Sequence, residues 1–309
     1  MKKVIGLLLA IVLLMGMFTV AAAEEEKPLV GIICPAATHG WVAGVTYYAQ
    51  QKAEELGLNY KLYNPSDVDE MSSAVDELVS LGAKAIVLNP QFTGMETATQ
   101  AAVDAGVIIV NFDMAIDVEG TYLLTGDNYD MGVQSANYIA EKLEGAGKVV
   151  VLDVPGSGNV AADRKAGFLD TIATIAPDIE IIGTYNTEFS AEVTQNDMAD
   201  ILTKHDQIDA VFSMDDESSI GALNAISEAG RTDIKAITGG GGCQTYFEMM
   251  PDNEIWISSA LYSPMMMADC VENAYKLLNG ETVETLIVEP TTIVDKDNVA
   301  DFLDANSPY

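Results

Sequence analysis

The chain has 309 residues, with 47 acidic against 15 basic side chains and a net charge of −32 at pH 7. So acidic a surface repels nucleic acid and anionic membranes, and three cysteines are too sparse and too odd in number for a disulfide framework. The length suits two medium domains, each with its own core.

Lys2 and Lys3 precede an uncharged, mostly apolar run from Val4 to Val20, and Ala21, Ala22 and Ala23 precede an acidic stretch opening at Glu24. That order predicts a signal peptide over residues 1–23, cleaved at an A-x-A site, and a periplasmic or extracellular mature chain. The leader holds no cysteine, so a lipid anchor there is excluded.

Short β-rich runs then alternate with amphipathic stretches of helical length. Strands are expected at 29–34, 59–63, 85–88 and 107–111, with helices at 41–56, 70–81 and 95–105 between them. Gly57, Gly82 and Gly106 stand where those helices should stop. The spacing is that of β-α-β crossovers, which predicts a parallel sheet covered by helices. The rhythm repeats with helices at 129–143, 162–175, 193–204 and 218–229 and strands at 148–153, 179–184, 210–213 and 234–238. Two similar halves imply two sheets. Strands near 254–260 and 285–293 and a helix at 265–278 complete the chain. If the chain re-enters the first lobe near Leu261 and leaves it near Pro290, the first lobe is 28–126 plus 262–289 and the second 127–261 plus 290–309. Three crossing strands would then form a hinge.

Open parallel sheets bind ligands beyond the carboxyl ends of their strands. The residues there include His39 and Trp41 after the first strand, Asn89 after the third, and Asn111 and Asp113 after the fourth. In the second half they are Arg164, Phe189, Asp215, and the glycine run 239–242 that contains Gly240. Each half offers hydrogen-bonding groups and an aromatic, the chemistry that holds sugars by ring-face stacking and paired hydroxyls.

The stretches AQQKAEELGLNY (49–60), IVLNP (86–90), GDNYDMGVQSANYIAEKL (126–143) and VFSMDDESSIGALNAISEAG (211–230) make the chain resemble type I periplasmic binding proteins of the ribose- and galactose-binding family. The resemblance runs along essentially the whole mature length. It implies two Rossmann-like α/β lobes with parallel sheets, a three-strand hinge, and closure on a small carbohydrate delivered to the membrane permease of an ABC importer. It further implies a monomer that is not an enzyme and carries no cofactor. A receptor presenting bound ligand to a chemoreceptor uses the same flytrap, and that reading stays open here. By the same resemblance Trp41 matches a stacking position, and Asn89, Asp113, Arg164 and Phe189 keep the family's polar or stacking chemistry. Asp215 stands where ribose binders carry Asn. Val42, Met114, Gly240 and Leu261 are smaller or less polar than their counterparts, which makes ribose itself doubtful. A deoxy-sugar, a polyol, or a ligand read by His39 and Gln244 fits better.

Each residue also has a plainer reading. Trp41 as a core aromatic, His39 as a loop side chain satisfied by backbone, and Asp113 and Asp215 as turn or cap residues are the alternatives. For Arg164 the alternative is an ion pair with Asp153 or Asp163; as a free ligand-binding group, its removal should leave the melting of the empty protein nearly unchanged. Asp216 is expected to serve the backbone while Asp215 faces the cleft. Glycines 239–242 are expected to let the backbone approach a ligand closely. Gly156-x-Gly158-x-x-Ala161 imitates a dinucleotide fingerprint, but the acid that should end the next strand is missing. His39 and His205 form no metal pattern with the cysteines. Cys243 and Cys270 are the pair that geometry would have to test.

Overall fold

The computed structural model describes residues 27–309, so the predicted leader lies outside the described residues. The first sheet is built from β1 (Leu29–Ile33), β2 (Asn59–Tyr63), β3 (Ala85–Leu88), β4 (Ile108–Phe112), β5 (Tyr122–Gly126) and β11 (Leu286–Glu289), in the order β11-β5-β4-β3-β1-β2. The second contains β6 (Ala146–Asp153), β7 (Asp178–Asn186), β8 (Ala210–Phe212), β9 (Ala236–Gly240), β10 (Trp256–Ala260) and β12 (Ile293–Asp295), in the order β12-β10-β9-β8-β6-β7. All pairings are parallel except β10 with β12.

Helices α1 (Gly40–Glu55), α2 (Val68–Ser80) and α3 (Glu96–Asp104) cover the first sheet together with α9 (Met266–Leu278). Helices α4 (Asn128–Lys142), α5 (Asn159–Ile175), α6 (Ala191–Lys204), α7 (Asp216–Glu228) and α8 (Gln244–Met249) belong to the second lobe. The chain passes between the sheets at three places: from β5 into α4, from β10 into α9, and from β11 into β12. No helix among the described residues is long and apolar enough to cross a membrane.

The strands form where they do because they are buried on both faces. β3 (AIVL) is wholly buried, as are the last four residues of β1, the continuous apolar pattern of a helix-covered parallel sheet. Asp67, Asp127 and Ser190 begin α2, α4 and α6 by accepting from backbone N–H groups of the first turn. Glycines allow the closest helix contacts. A Cβ on Gly132 of α4 would strike the backbone carbonyl of Arg164, and one on Gly167 that of Tyr129. This close crossing of α4 and α5 sets the position of Arg164.

β5 is an element the sequence reading lacks. It follows β4 without a helix between them and is only half-buried, so neither the crossover rhythm nor a continuous apolar run marks it. Cys243 and Cys270 do not pair: Cys243 sits in the core of the second lobe and Cys270 on α9 in the first. All three thiols are free and buried, and burial pushes Cys34 up to about 12 and Cys243 to about 11.

Candidate functional site

In both sheets the strand order reverses at the first strand of its half, β1 beside β3 and β6 beside β8. Loops leaving such neighbours diverge and open a crevice at the carboxyl edge. The two crevices share the junction where α1 begins and the chain crosses from β10 to α9.

Arg164 is the centre of this junction. It is buried, its Nε donates to Asn128 Oδ1 at 2.8 Å and its Nη1 to the Met214 carbonyl at 2.9 Å. Its guanidinium lies 5.3 Å from the ring centroid of Tyr262, and Asp113 and Asp215 are among the charges it senses. The expected alternative, an ion pair with Asp153 or Asp163, does not form: neither carboxylate lies within ion-pair range of Arg164, and Asp153 pairs with Lys165. Arg164 is nevertheless bonded within its own lobe, so the expectation that the empty protein would not need it is overturned. Without the guanidinium, the buried Met214 carbonyl and the half-buried Asn128 amide oxygen lose their donor.

Asp113 has a left-handed φ of 69°. Its Oδ1 accepts from the Tyr262 hydroxyl at 2.5 Å, and Thr125 Oγ1 donates to its carbonyl at 2.8 Å. Burial raises its carboxyl above the usual range, opposed by the Tyr262 hydroxyl and by Arg164. Asp215 is likewise pushed up to about 6 by burial, despite hydrogen bonds from Ser218. It caps α7, accepting from Ser218 N at 2.8 Å and from the Ser218 hydroxyl. Asp216 serves the backbone, as expected, though that of the glycine loop, while the side chain of Asp215 is taken up by the helix start. Asp215 is the helix cap, whereas Asp216 turns inward to accept from Gly242 N and Cys243 N at 2.8 Å each and from Ser259 Oγ at 2.9 Å.

Asn89 directly follows β3, and Asn111 is the penultimate residue of β4. Both are buried, and neither the Oδ1 nor the Nδ2 of either side chain has a partner in the protein. Buried polar groups are rarely left so, and each costs roughly 1–3 kcal/mol unless something pairs with it. Four such atoms lie together at the carboxyl edge of one sheet.

Trp41 stacks on Phe112 at 5.7 Å and 18°, and its Nε1 donates to the Tyr262 carbonyl at 2.8 Å. It packs against the cores of both lobes. His39 is not satisfied by backbone. Its Nδ1 stands 3.2 Å from Glu217 Oε2, out of line for a hydrogen bond but within ion-pair range, and its ring is 6.0 Å from Phe189. Glu217 also accepts from Gly40 N at 3.1 Å, so the first turn of α1 is tied to the second lobe. Met114 is half-buried next to Asp113, and its backbone N–H donates to the Phe112 carbonyl.

Four expectations change. A Cβ on Gly240 would lie 2.7 Å from Met131 Cε and 2.9 Å from the Met214 carbonyl, so that position is packed shut and presents no surface to a ligand. Leu261 turns onto Gly242 and the second-lobe core, and its successor Tyr262 enters the polar cluster instead. Gln244 is spent on the chain itself, donating to the Phe302 carbonyl at 3.2 Å and accepting from Asp304 N at 2.8 Å. The glycine run likewise makes room for Asp216, Tyr246, Leu261 and Tyr309 of the same chain. The residues missed are Tyr262, Asn128 and Glu217. Tyr262 had a signal, an aromatic beside the predicted lobe crossing, whereas Asn128 and Glu217 look in sequence like ordinary helix-start residues.

A surface groove of about 720 Å³ lies elsewhere, at the amino ends of β9 and β10, between Arg231, Lys235 and Trp256. Lys142 and Lys296 cover the Trp256 ring at 4.2 and 3.3 Å. Strand amino ends are the wrong edge for a ligand in this architecture. The described residues hold no cluster of potential metal ligands.

A sequence model of the periplasmic binding protein domain matches residues 30–282. The chain belongs to that family. It is a bilobal solute-binding protein and not an enzyme. It is 26% identical to the ribose import binding protein of Escherichia coli over 287 residues, covering 92% of this chain and 95% of that one. It is 29% identical to a galactofuranose-binding protein of the same organism over 280 residues, or 86% and 87% of the two chains. An ABC transporter periplasmic solute-binding protein from Actinobacillus succinogenes, solved with bound D-allose, superposes with a TM-score of 0.81 at 21% identity, covering 89% of this chain and all of that one; at that identity it shows the fold.

Proposed function

We propose that this chain captures a small neutral carbohydrate, a sugar, deoxy-sugar or polyol, between its lobes outside the cytoplasmic membrane, and hands it to the permease of an ABC importer. The observation that carries the neutral class is the charge balance of the junction. Arg164 senses the charges of Asp113 and Asp215, whose carboxyls burial raises above the usual range, so an anionic ligand would meet two carboxyl groups as well as the cation. The unpartnered amides of Asn89 and Asn111 suit hydroxyls, which both donate and accept. Trp41 and Phe189 supply apolar faces from opposite lobes. The three chain crossings act as the hinge, with 28–126 plus 262–289 moving against 127–261 plus 290–309. The relatives named for ribose and galactofuranose support a carbohydrate, while Gly240 and Leu261, closed to the cleft, shape a pocket different from a ribose binder's.

A thermal-shift screen tests this. D-ribose, D-allose, L-arabinose, D-galactose, xylitol and myo-inositol form the neutral panel; ribose 5-phosphate and galacturonate are the anionic controls. A ligand at 100 times its dissociation constant stabilises the native state by about 2.7 kcal/mol. At least one neutral compound should raise the midpoint and neither anion should. Stabilisation by the anions alone would overturn the neutral class.

A further inference from the structure

The segment after the turn Val299–Asp301 is fastened to one lobe and reaches the other. Gln244, at the start of α8 in the second lobe, holds its backbone: the side chain grips Phe302 and Asp304, and Gln244 N donates to the Tyr309 carbonyl at 3.1 Å. The side chains then cross to the first lobe, where Tyr48 of α1 donates its hydroxyl to Ser307 Oγ at 2.8 Å.

Tyr309 is buried, and glycines shape its slot. Gly40 and Gly44 stand one turn apart on the same face of α1. A Cβ on Gly40 would lie 3.1 Å from Tyr309 Cδ2, and one on Gly44 would lie 3.2 Å from Tyr309 Cβ. On the opposite side, a Cβ on Gly241 would lie 2.6 Å from the Tyr309 hydroxyl. The ring is thus wedged between α1 of the first lobe and the β9–α8 loop of the second. Arg164 has this phenol among its electrostatic neighbours, so the wedge sits at the polar junction itself.

We propose that Tyr309 is a built-in latch: carried by the second lobe, it docks into the glycine slot of α1 and holds the two lobes closed, so that the strength of ligand binding depends on it. The inference rests on the cleft-closure reading above. An apolar ring leaving that slot exposes its own faces and the α1 surface together, which biases the open–closed balance without removing any ligand contact. A protein whose competent state is less populated binds every ligand more weakly by that fraction.

Small-angle scattering of the ligand-free protein tests the latch. Tyr309→Ala should enlarge the radius of gyration relative to the unaltered protein, through a shift toward the open form of about tenfold. Tyr309→Phe, which keeps the ring, should scatter like the unaltered protein. An unchanged radius for Tyr309→Ala overturns the latch. A radius of Tyr309→Ala that no sugar or polyol of the panel reduces would instead count against closure on ligand, a separate outcome. Should Tyr309→Ala fold poorly, hydrogen exchange on the unaltered protein decides. Amides of 303–309 and of 40–48 should open together, and free exchange of the first segment while the second stays protected overturns the proposal.

Discussion

Arg164→Ala separates the binding role of this residue from its structural one. The variant deletes a part-buried hydrogen bond to Asn128 Oδ1 and a buried one to the Met214 carbonyl. Each bond from a charged donor contributes roughly 1.5–3 kcal/mol, and the vacated volume adds a cavity cost. Against this stands the relief of burying a guanidinium, whose charged form burial disfavours. The net expectation is a loss on the order of 3 kcal/mol, which for a chain of this size is roughly 5 °C in Tm. Ligand affinity should fall a further tenfold to a hundredfold through lost charge-assisted bonds. Differential scanning calorimetry of the empty variant, with titration calorimetry using the best compound of the neutral panel, measures both. An unchanged melt would mean that the two intralobe bonds do not form in solution. Unchanged affinity would mean that Arg164 is structural only.

Asn89→Leu should raise the Tm of the empty protein, because it removes two buried unpaired atoms, and should abolish sugar binding; a lower Tm would show that the amide is satisfied in solution. Gly132→Ala should lower stability by more than about 2 kcal/mol in denaturant titration, because its methyl would strike the Arg164 backbone carbonyl; a neutral effect would refute the tight crossing of α4 and α5. Burial holds Asp216 up near 7 and Asp215 near 6. Folded-state values above the unfolded one mean that the native state binds the extra proton, so their contribution is full below about pH 4 and is lost as pH rises through about 6 to 7. Melting followed across that window should show stability falling, and Asp216→Asn should flatten the fall; an equal slope in the variant contradicts the assignment.

The architecture was readable from the sequence because its signals are local. Crossover rhythm, glycine stops and apolar runs each sit within a dozen residues, and two halves with the same rhythm imply two sheets. β5 escaped because it lacks a helix before it and a fully buried face. The candidate cleft was readable only in part. Strand ends pointed to Asn89, Asp113 and Arg164, but which neighbour turns inward depends on packing partners far along the chain. Leu261 and Tyr262 differ by a single residue in phase, and Gly242 and the second-lobe core decide which of them joins Asp113. Gly240 looked like a lost pocket acid until Met131, more than a hundred residues earlier, was seen to fill its place. Asp215 and Asp216 are adjacent and chemically alike, and only the fold of the glycine loop over Asp216 separates a cap from a buried clamp.

The central claim is that a neutral carbohydrate bridges the lobes at this junction. A crystal structure with the best compound of the neutral panel tests it most directly. The account predicts ligand hydroxyls within hydrogen-bond distance of the Asn89 and Asn111 amides from the first lobe and of Arg164 from the second, with Trp41 or Phe189 against a ring or carbon face. A ligand held by one lobe alone, or seated in the groove beside Trp256, would contradict it.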